Sequence, residues 1–217
     1  MTHHIPFLKE IILLCTLGFS GGLSVIFPRA KNNTYFYTIL GNVVINVLLI
    51  ALVFPITREQ YFYFNVPPAY MYLIALLGGP LCIILEYAVG AVQFVIKNKK
   101  LPDYRVHAFY DIKIGPALIA LIILLVVCEE LILRQFMFTI FYNMIGLGLL
   151  LTVLVCALIY SLNHLYFGVN TLVQKFVSGL VYTLLFYFSG SSVVVPIIAH
   201  SVQNLTLLFL SSRGGRK

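Results

Sequence analysis

From Ile114 to Ile140 the chain carries only three charged side chains, Glu129, Glu130 and Arg134, in a stretch otherwise made, apart from Gln135, of apolar and small residues. A run of about twenty such residues matches the roughly 30 Å of hydrocarbon in a bilayer. Within lipid the backbone must satisfy its own hydrogen bonds, so only helices and closed barrels can cross. Barrel strands alternate apolar and polar positions. Here the apolar residues come unbroken, so the expected fold class is all-α: a polytopic helical membrane protein. The whole chain agrees, with 61% hydrophobic and 10% charged residues. A surface of that composition could not face water, which excludes an ordinary soluble enzyme, a secreted disulfide scaffold and a disordered regulator.

About seven runs are long enough to span. They cover about Ile11–Phe27, Tyr35–Pro55, Tyr70–Ile96, Ile114–Ile140, Leu147–Phe167, Leu172–Phe188 and Val193–Leu210. The first contains Gly18 and Gly22, four residues apart on one helix face and suited to close packing. Seven spans put eleven basic residues on one side: Arg29, Lys31, Lys97, Lys99, Lys100, Arg105, Lys113, Lys175, Arg213, Arg216 and Lys217. Lys9 and Arg58 fall on the other. The positive-inside rule then predicts an external N-terminus and a cytoplasmic C-terminus. The formal net charge of +7 therefore reads as a topology signal toward an anionic leaflet, not as a nucleic-acid surface. Met1–Glu10 lacks the charge pattern of a signal peptide, so the first run is expected to be retained. Cys15, Cys82, Cys128 and Cys156 all sit in apolar runs without CxxC or CxxH spacing, and read as reduced packing residues. Tyr35, Tyr37, Tyr61, Tyr63, Tyr70 and Tyr72 flank the second and third runs as an interfacial belt.

Ionisable groups at membrane depth are costly, so each is a functional candidate. They are Glu86, Glu129, Glu130, Arg134, His164 and His200. On a helix Glu130 and Arg134 are four apart and share a face, which allows an ion pair. Glu129 points about 100° away from Glu130, free of that pair. This divides the labour: Glu130 and Arg134 form a structural clamp, and Glu129 is presented to a cavity as a general base. Tyr160 and His164 share a second helix face. His200 and Asn204 share a third, where two hydrogen-bonding groups one turn apart suit a developing oxyanion. Glu86 has no spacing partner; pairing with Arg134, contact with substrate and a neutral cavity-facing role all stay open.

The ordered set E-E-x-x-x-R, aromatic-x-x-x-H and H-x-x-x-N, on successive spans, resembles the CPBP family. That family holds CAAX prenyl endopeptidases and bacteriocin-processing or immunity (Abi) proteins. The resemblance covers about Ile114–Leu210 and leaves the first three spans without a signature. It divides the chain into an N-terminal three-span region, 1–112, and a four-helix catalytic core, 113–217, within one membrane unit. Tyr160 departs from the family's usual Phe, and Gln135 stands where a small residue often follows the Arg.

The resemblance implies an intramembrane endopeptidase of the glutamate type. Glu129 is then the general base, Glu129 and His164 hold the attacking water, His200 and Asn204 stabilise the oxyanion, and Glu130, Arg134 and Tyr160 support the site. The implied partner is a membrane-associated peptide or protein, prenylated or not, in a bilayer; nucleic acid is not expected. No cofactor is favoured. Glu129, His164 and His200 are also a zinc-compatible set, but H-E-x-x-H is missing and Asn204 fits oxyanion binding better. A non-proteolytic scaffold or immunity protein is the alternative, and an ion path lined by Glu86, Glu129 and Glu130 is a third reading without repeat symmetry to support it. A chain with no soluble domain leans toward a prokaryotic plasma membrane.

One difficulty follows from depth. Glu129 lies sixteen residues beyond Lys113, roughly 24 Å along a straight helix. That puts it toward the outer leaflet, whereas His164 falls near the inner end of its span. For the two to meet, the stretch from Ile114 to Val127 is expected to tilt, bend or lie partly in the interface.

Overall fold

The computed structural model describes residues 34–57, 64–101 and 114–214. The expected first span, with Gly18 and Gly22, lies outside the described residues, as do Arg105, Lys113, Arg216 and Lys217. Among the described residues all regular structure is helical. Helix α1 covers Thr34–Thr57 and α2 covers Ala69–Asn98. Helix α3 covers Pro116–Glu130 and continues as π-helix over Leu131–Phe138 and Ile140–Met144. Helix α4 covers Leu149–Leu162, followed by a 3₁₀ turn at Leu165–Phe167. Helix α5 covers Val169–Phe188 and α6 covers Val194–Gly214.

Among the described residues four helical stretches are long and apolar enough to cross a bilayer: Ala69–Asn98, Pro116–Met144, Val169–Phe188 and Val194–Ser211. Phe36–Ala51 and Leu149–Leu162 are shorter apolar helices. The expectation of about seven full spans is thus met only in part. The run at Leu147–Phe167 differs most. Its helix has 14 residues, ends at Leu162 and covers about 21 Å, less than the hydrocarbon thickness.

Helices α4 and α5 pack together, and α2 packs against both α5 and α6. Helix α1 lies against α3, which also touches α6. Two of these seams depend on missing side chains. A Cβ on Gly79 would stand 2.7 Å from the Ala199 carbonyl oxygen and 2.9 Å from the Gln203 backbone nitrogen. A Cβ on Gly179 would stand 3.0 Å from the Ala157 Cα. Small residues let membrane helices approach this closely, and dispersion and hydrogen bonds then replace the absent hydrophobic drive. The core centres on the π-helical part of α3. Every residue from Ile132 to Ile140 is buried, because that segment is enclosed on all sides. Phe136, Phe138, Tyr182 and Phe186 fill the space between α3 and α5.

Candidate active site

The change from α to π winding on α3 falls immediately after Glu129 and Glu130. Such wide turns recur at functional sites. Glu130 is fully buried. Its Oε1 accepts a hydrogen bond from Arg134 Nη1 at 3.2 Å and lies 2.8 Å from His200 Nδ1. A carboxylate paired with a guanidinium is an acceptor, so the His200 Nδ1–H donates to it. Arg134 is also fully buried. Its Nη2 reaches the Gly179 carbonyl at 3.5 Å, and its guanidinium lies 4.9 Å from the Tyr160 ring centre and 5.4 Å from that of Tyr182. Two aromatic faces thus share the cation that Glu130 neutralises. Glu130 Oε2 and Arg134 Nε are buried without a hydrogen-bond partner among the described residues.

Glu129 differs from its neighbour. Its side chain keeps 22% exposure, against none for Glu130, and its Oε2 lies 3.8 Å from His200 Nε2. His200 therefore sits between the two carboxylates, one on each ring nitrogen. Its ring stacks on Tyr182 at 4.8 Å, and the Tyr160 hydroxyl stands 3.5 Å from Nε2. Tyr182 in turn donates its hydroxyl to Gln203 on α6. His164 closes the other side: its ring centre lies 4.7 Å from that of Tyr160, and its Nδ1 donates to the Tyr160 carbonyl at 2.9 Å. Asn204 is half-buried one turn beyond His200.

Glu129, Glu130, Arg134, Tyr160, His164 and His200 thus come together, and the short α4 explains how. It follows α3 after a brief loop and packs back along the π-helical segment. It stops at Leu162, and near its end Tyr160 meets Arg134 at the start of that segment. Among the described residues no group of three His, Cys, Asp or Glu side chains is arranged to hold a metal ion.

Residues 112–206 match the family model of type II CAAX prenyl endopeptidase Rce1-like proteins. The match spans just under half of the chain and encloses all seven residues from Glu129 to Asn204 named above. Over those residues the chain is similar to the CAAX protease family. No curated protein and no solved structure matches it. The family is one of membrane-embedded proteases, which agrees with the apolar helices here.

Sequence reasoning placed the family motifs but missed their supports. Tyr182 and Gln203 lack a spacing motif; Gln203 at least lies one turn from His200. Glu86 does not pair with Arg134. Its Oε1 accepts from Lys175 Nζ at 2.8 Å and from Ser178 Oγ at 2.6 Å, all three partly buried or buried. Lys175, counted above as a topology signal, is therefore half of an ion pair between α2 and α5.

Proposed function

We propose that this chain is an intramembrane endopeptidase of the glutamate type, cutting a membrane-associated peptide or protein with water activated by Glu129 and His164. The observation that carries the reading is the division between adjacent carboxylates. Glu130 is sealed against Arg134 and His200, while Glu129 keeps an open side next to the same histidine.

The hydrogen-bond directions support specific roles. His164 spends its Nδ1–H on a backbone carbonyl, so in the neutral ring Nε2 is an acceptor. Glu129 and His164 Nε2 can then each accept one hydrogen of a water molecule, leaving an oxygen lone pair for the scissile carbonyl carbon. Glu129 takes the proton as the C–O bond forms, and the carbonyl π pair moves to oxygen. His200, carrying a proton on Nε2, and the Asn204 amide donate to that oxyanion. The oxyanion collapses, the C–N bond breaks, and Glu129 returns its proton to the leaving amine. Arg134 holds the Glu130 side chain by an ion pair, and Glu130 in turn holds the His200 ring at Nδ1. Tyr160 packs between Arg134 and His164. The reading needs no metal; the zinc-compatible set stays as the outcome that a chelator would reveal. Sequence charge supports a cytoplasmic C-terminus and an external N-terminus in this scheme.

The test is cleavage of a pool of short membrane-associated and prenylated peptides in vesicles. Glu129→Ala, His164→Ala and His200→Ala are each expected to lower the rate by at least about 10²-fold. Chelator-sensitive cleavage would move Glu129, His164 and His200 to metal ligands. Full cleavage by Glu129→Ala would overturn the reading in favour of a protease that is catalysed differently.

A further inference from the structure

Helix α1 lies outside the family match, yet it packs on the face of α3 that carries Glu129. On α3, Leu118, Ile122, Leu125 and Glu129 follow a 4-3-4 spacing, which puts them on one face of an α-helix. On α1 the same spacing joins Ile39, Val43, Asn46 and Ile50. Ile39 and Val43 share a buried cluster with Leu118 and Ile122, and with Leu208 of α6. Ile50 packs instead on the core built around Ile132–Ile140. The two helices therefore run parallel, and Asn46 falls where α3 passes from Leu125 to Glu129. Helix α6 runs the other way: Leu208 and Leu205 belong to the first cluster, and His200 to the catalytic layer. Ser201 shares a face with Leu205 and Leu208 by the same spacing.

Between the two apolar clusters the layer is polar, and its oxygens lack donors. Asn46 is 2% exposed. Its Nδ2 donates to the Asn42 carbonyl at 2.8 Å, and its Oδ1 is without a partner among the described residues. Asn42 Oδ1 and Ser201 Oγ are buried and without a partner there as well. Glu129 adds a carboxylate with an open side. Nearly every buried polar atom in a folded protein is paired with protein or ordered water, and one left bare in hydrocarbon is costly. Acceptors outnumber donors here: two amide oxygens and a carboxylate stand against the one Ser201 hydroxyl. A small donor molecule suits that chemistry, and a buried water makes about three such bonds.

We propose that Asn46, with Asn42 and Ser201, holds ordered water beside Glu129 and supplies the site from the α1 side. This rests on the protease reading above, in which Glu129 consumes one water for each peptide bond. Asn46 and Ser201 are then positioning residues, acting through the water that Glu129 activates. A monovalent cation is the competing occupant, since hard cations also bind oxygens.

X-ray hydroxyl-radical labelling of the full chain in nanodiscs reads the water apart from cleavage, because radicals form from bound water and oxidise the side chains next to it. Leu125 and Leu205, at the polar layer, are expected to be oxidised more than Leu121, which is also partly buried but one turn nearer the start of α3. Asn46→Leu is expected to lower that labelling at least about threefold, the scale of one hydrogen bond. Ser201→Ala, which fills no space, is expected to lower it too. Asn46→Leu is expected to leave Tm unchanged or higher, since it replaces an amide by an apolar group of similar size. In the cleavage assay it is expected to lower kcat about three- to tenfold with KM unchanged. The double variant is expected to lose less than the product of the two single losses, as groups sharing one water should.

Labelling at Leu125 and Leu205 no greater than at Leu121 overturns the proposal, as does labelling that survives both substitutions. A kcat that falls in Asn46→Leu only together with Tm assigns Asn46 to packing and also overturns it. Cleavage that needs sodium and stops in choline gives the oxygens to a cation, with the same result. If the labelling follows the proposal but the wild-type chain cuts no peptide, the protease reading fails while the water site stands.

Discussion

His200 Nδ1 lies 2.8 Å from Glu130 Oε1 while its Nε2 lies 3.8 Å from Glu129 Oε2, so one imidazole joins two carboxylates that are adjacent in sequence and unequal in surroundings. That inequality predicts two different failures. Glu130→Ala leaves Arg134 buried without its counter-ion, which is expected to cost about 3–5 kcal/mol and lower Tm in detergent. Glu129→Gln is expected to leave Tm nearly unchanged and remove peptide cleavage. Thermal melts of both variants beside the cleavage assay check this; equal loss of stability would contradict the division.

Tyr160 offers a ring to Arg134 and His164 and a hydroxyl to His200. The hydroxyl contact, at 3.5 Å, is near the limit of a hydrogen bond. Tyr160→Phe is therefore expected to keep the fold and most of the activity. Tyr160→Ala removes a fully buried aromatic and one face of the cation, and is expected to cost about 3–5 kcal/mol. Melting curves of the two variants separate ring from hydroxyl.

At Gly79 two of the three nearest atoms, the Ala199 carbonyl oxygen and the Gln203 nitrogen, are backbone and cannot swing aside. Gly79→Ala is expected to push α2 from α6 and destabilise the protein by about 1–3 kcal/mol. Since α6 carries His200, cleavage should fall with it. A variant with wild-type Tm would show that the two helices have room to adjust.

The Glu86–Lys175 pair joins α2, outside the family match, to α5 inside it. Each of Glu86→Leu and Lys175→Met leaves a partly buried charge unpaired and is expected to destabilise. The double variant is expected to recover much of the loss, with a coupling of about 0.5–3 kcal/mol. A double-variant cycle in detergent measures it, and strict additivity would mean the pair does not interact.

The helical class and the family motifs were legible because both depend on local spacing. Glu130 and Arg134, Tyr160 and His164, and His200 and Asn204 are each spaced i, i+4, and helix geometry puts the first and last pairs on one face, while His164 lies just past the end of α4. Sequence could not show that Glu130 serves His200 as well as Arg134, because the partners lie seventy residues apart and meet only when α6 packs against α3. The partner of Lys175 was hidden for a related reason. A basic residue near a span end looks like an interfacial anchor until the packing of α2 brings Glu86 to it.

By itself, then, the sequence determined the solvent, the helical class and which polar residues had to be accounted for, since lipid forbids other backbones and penalises every stray charge. Only the tertiary structure decided which glutamate stays open, because exposure depends on what packs against a helix face. It also decided that Glu129 and His164 can share a site. The apolar run at Leu147–Phe167 is long enough to span, but its helix ends at Leu162, two residues before the histidine.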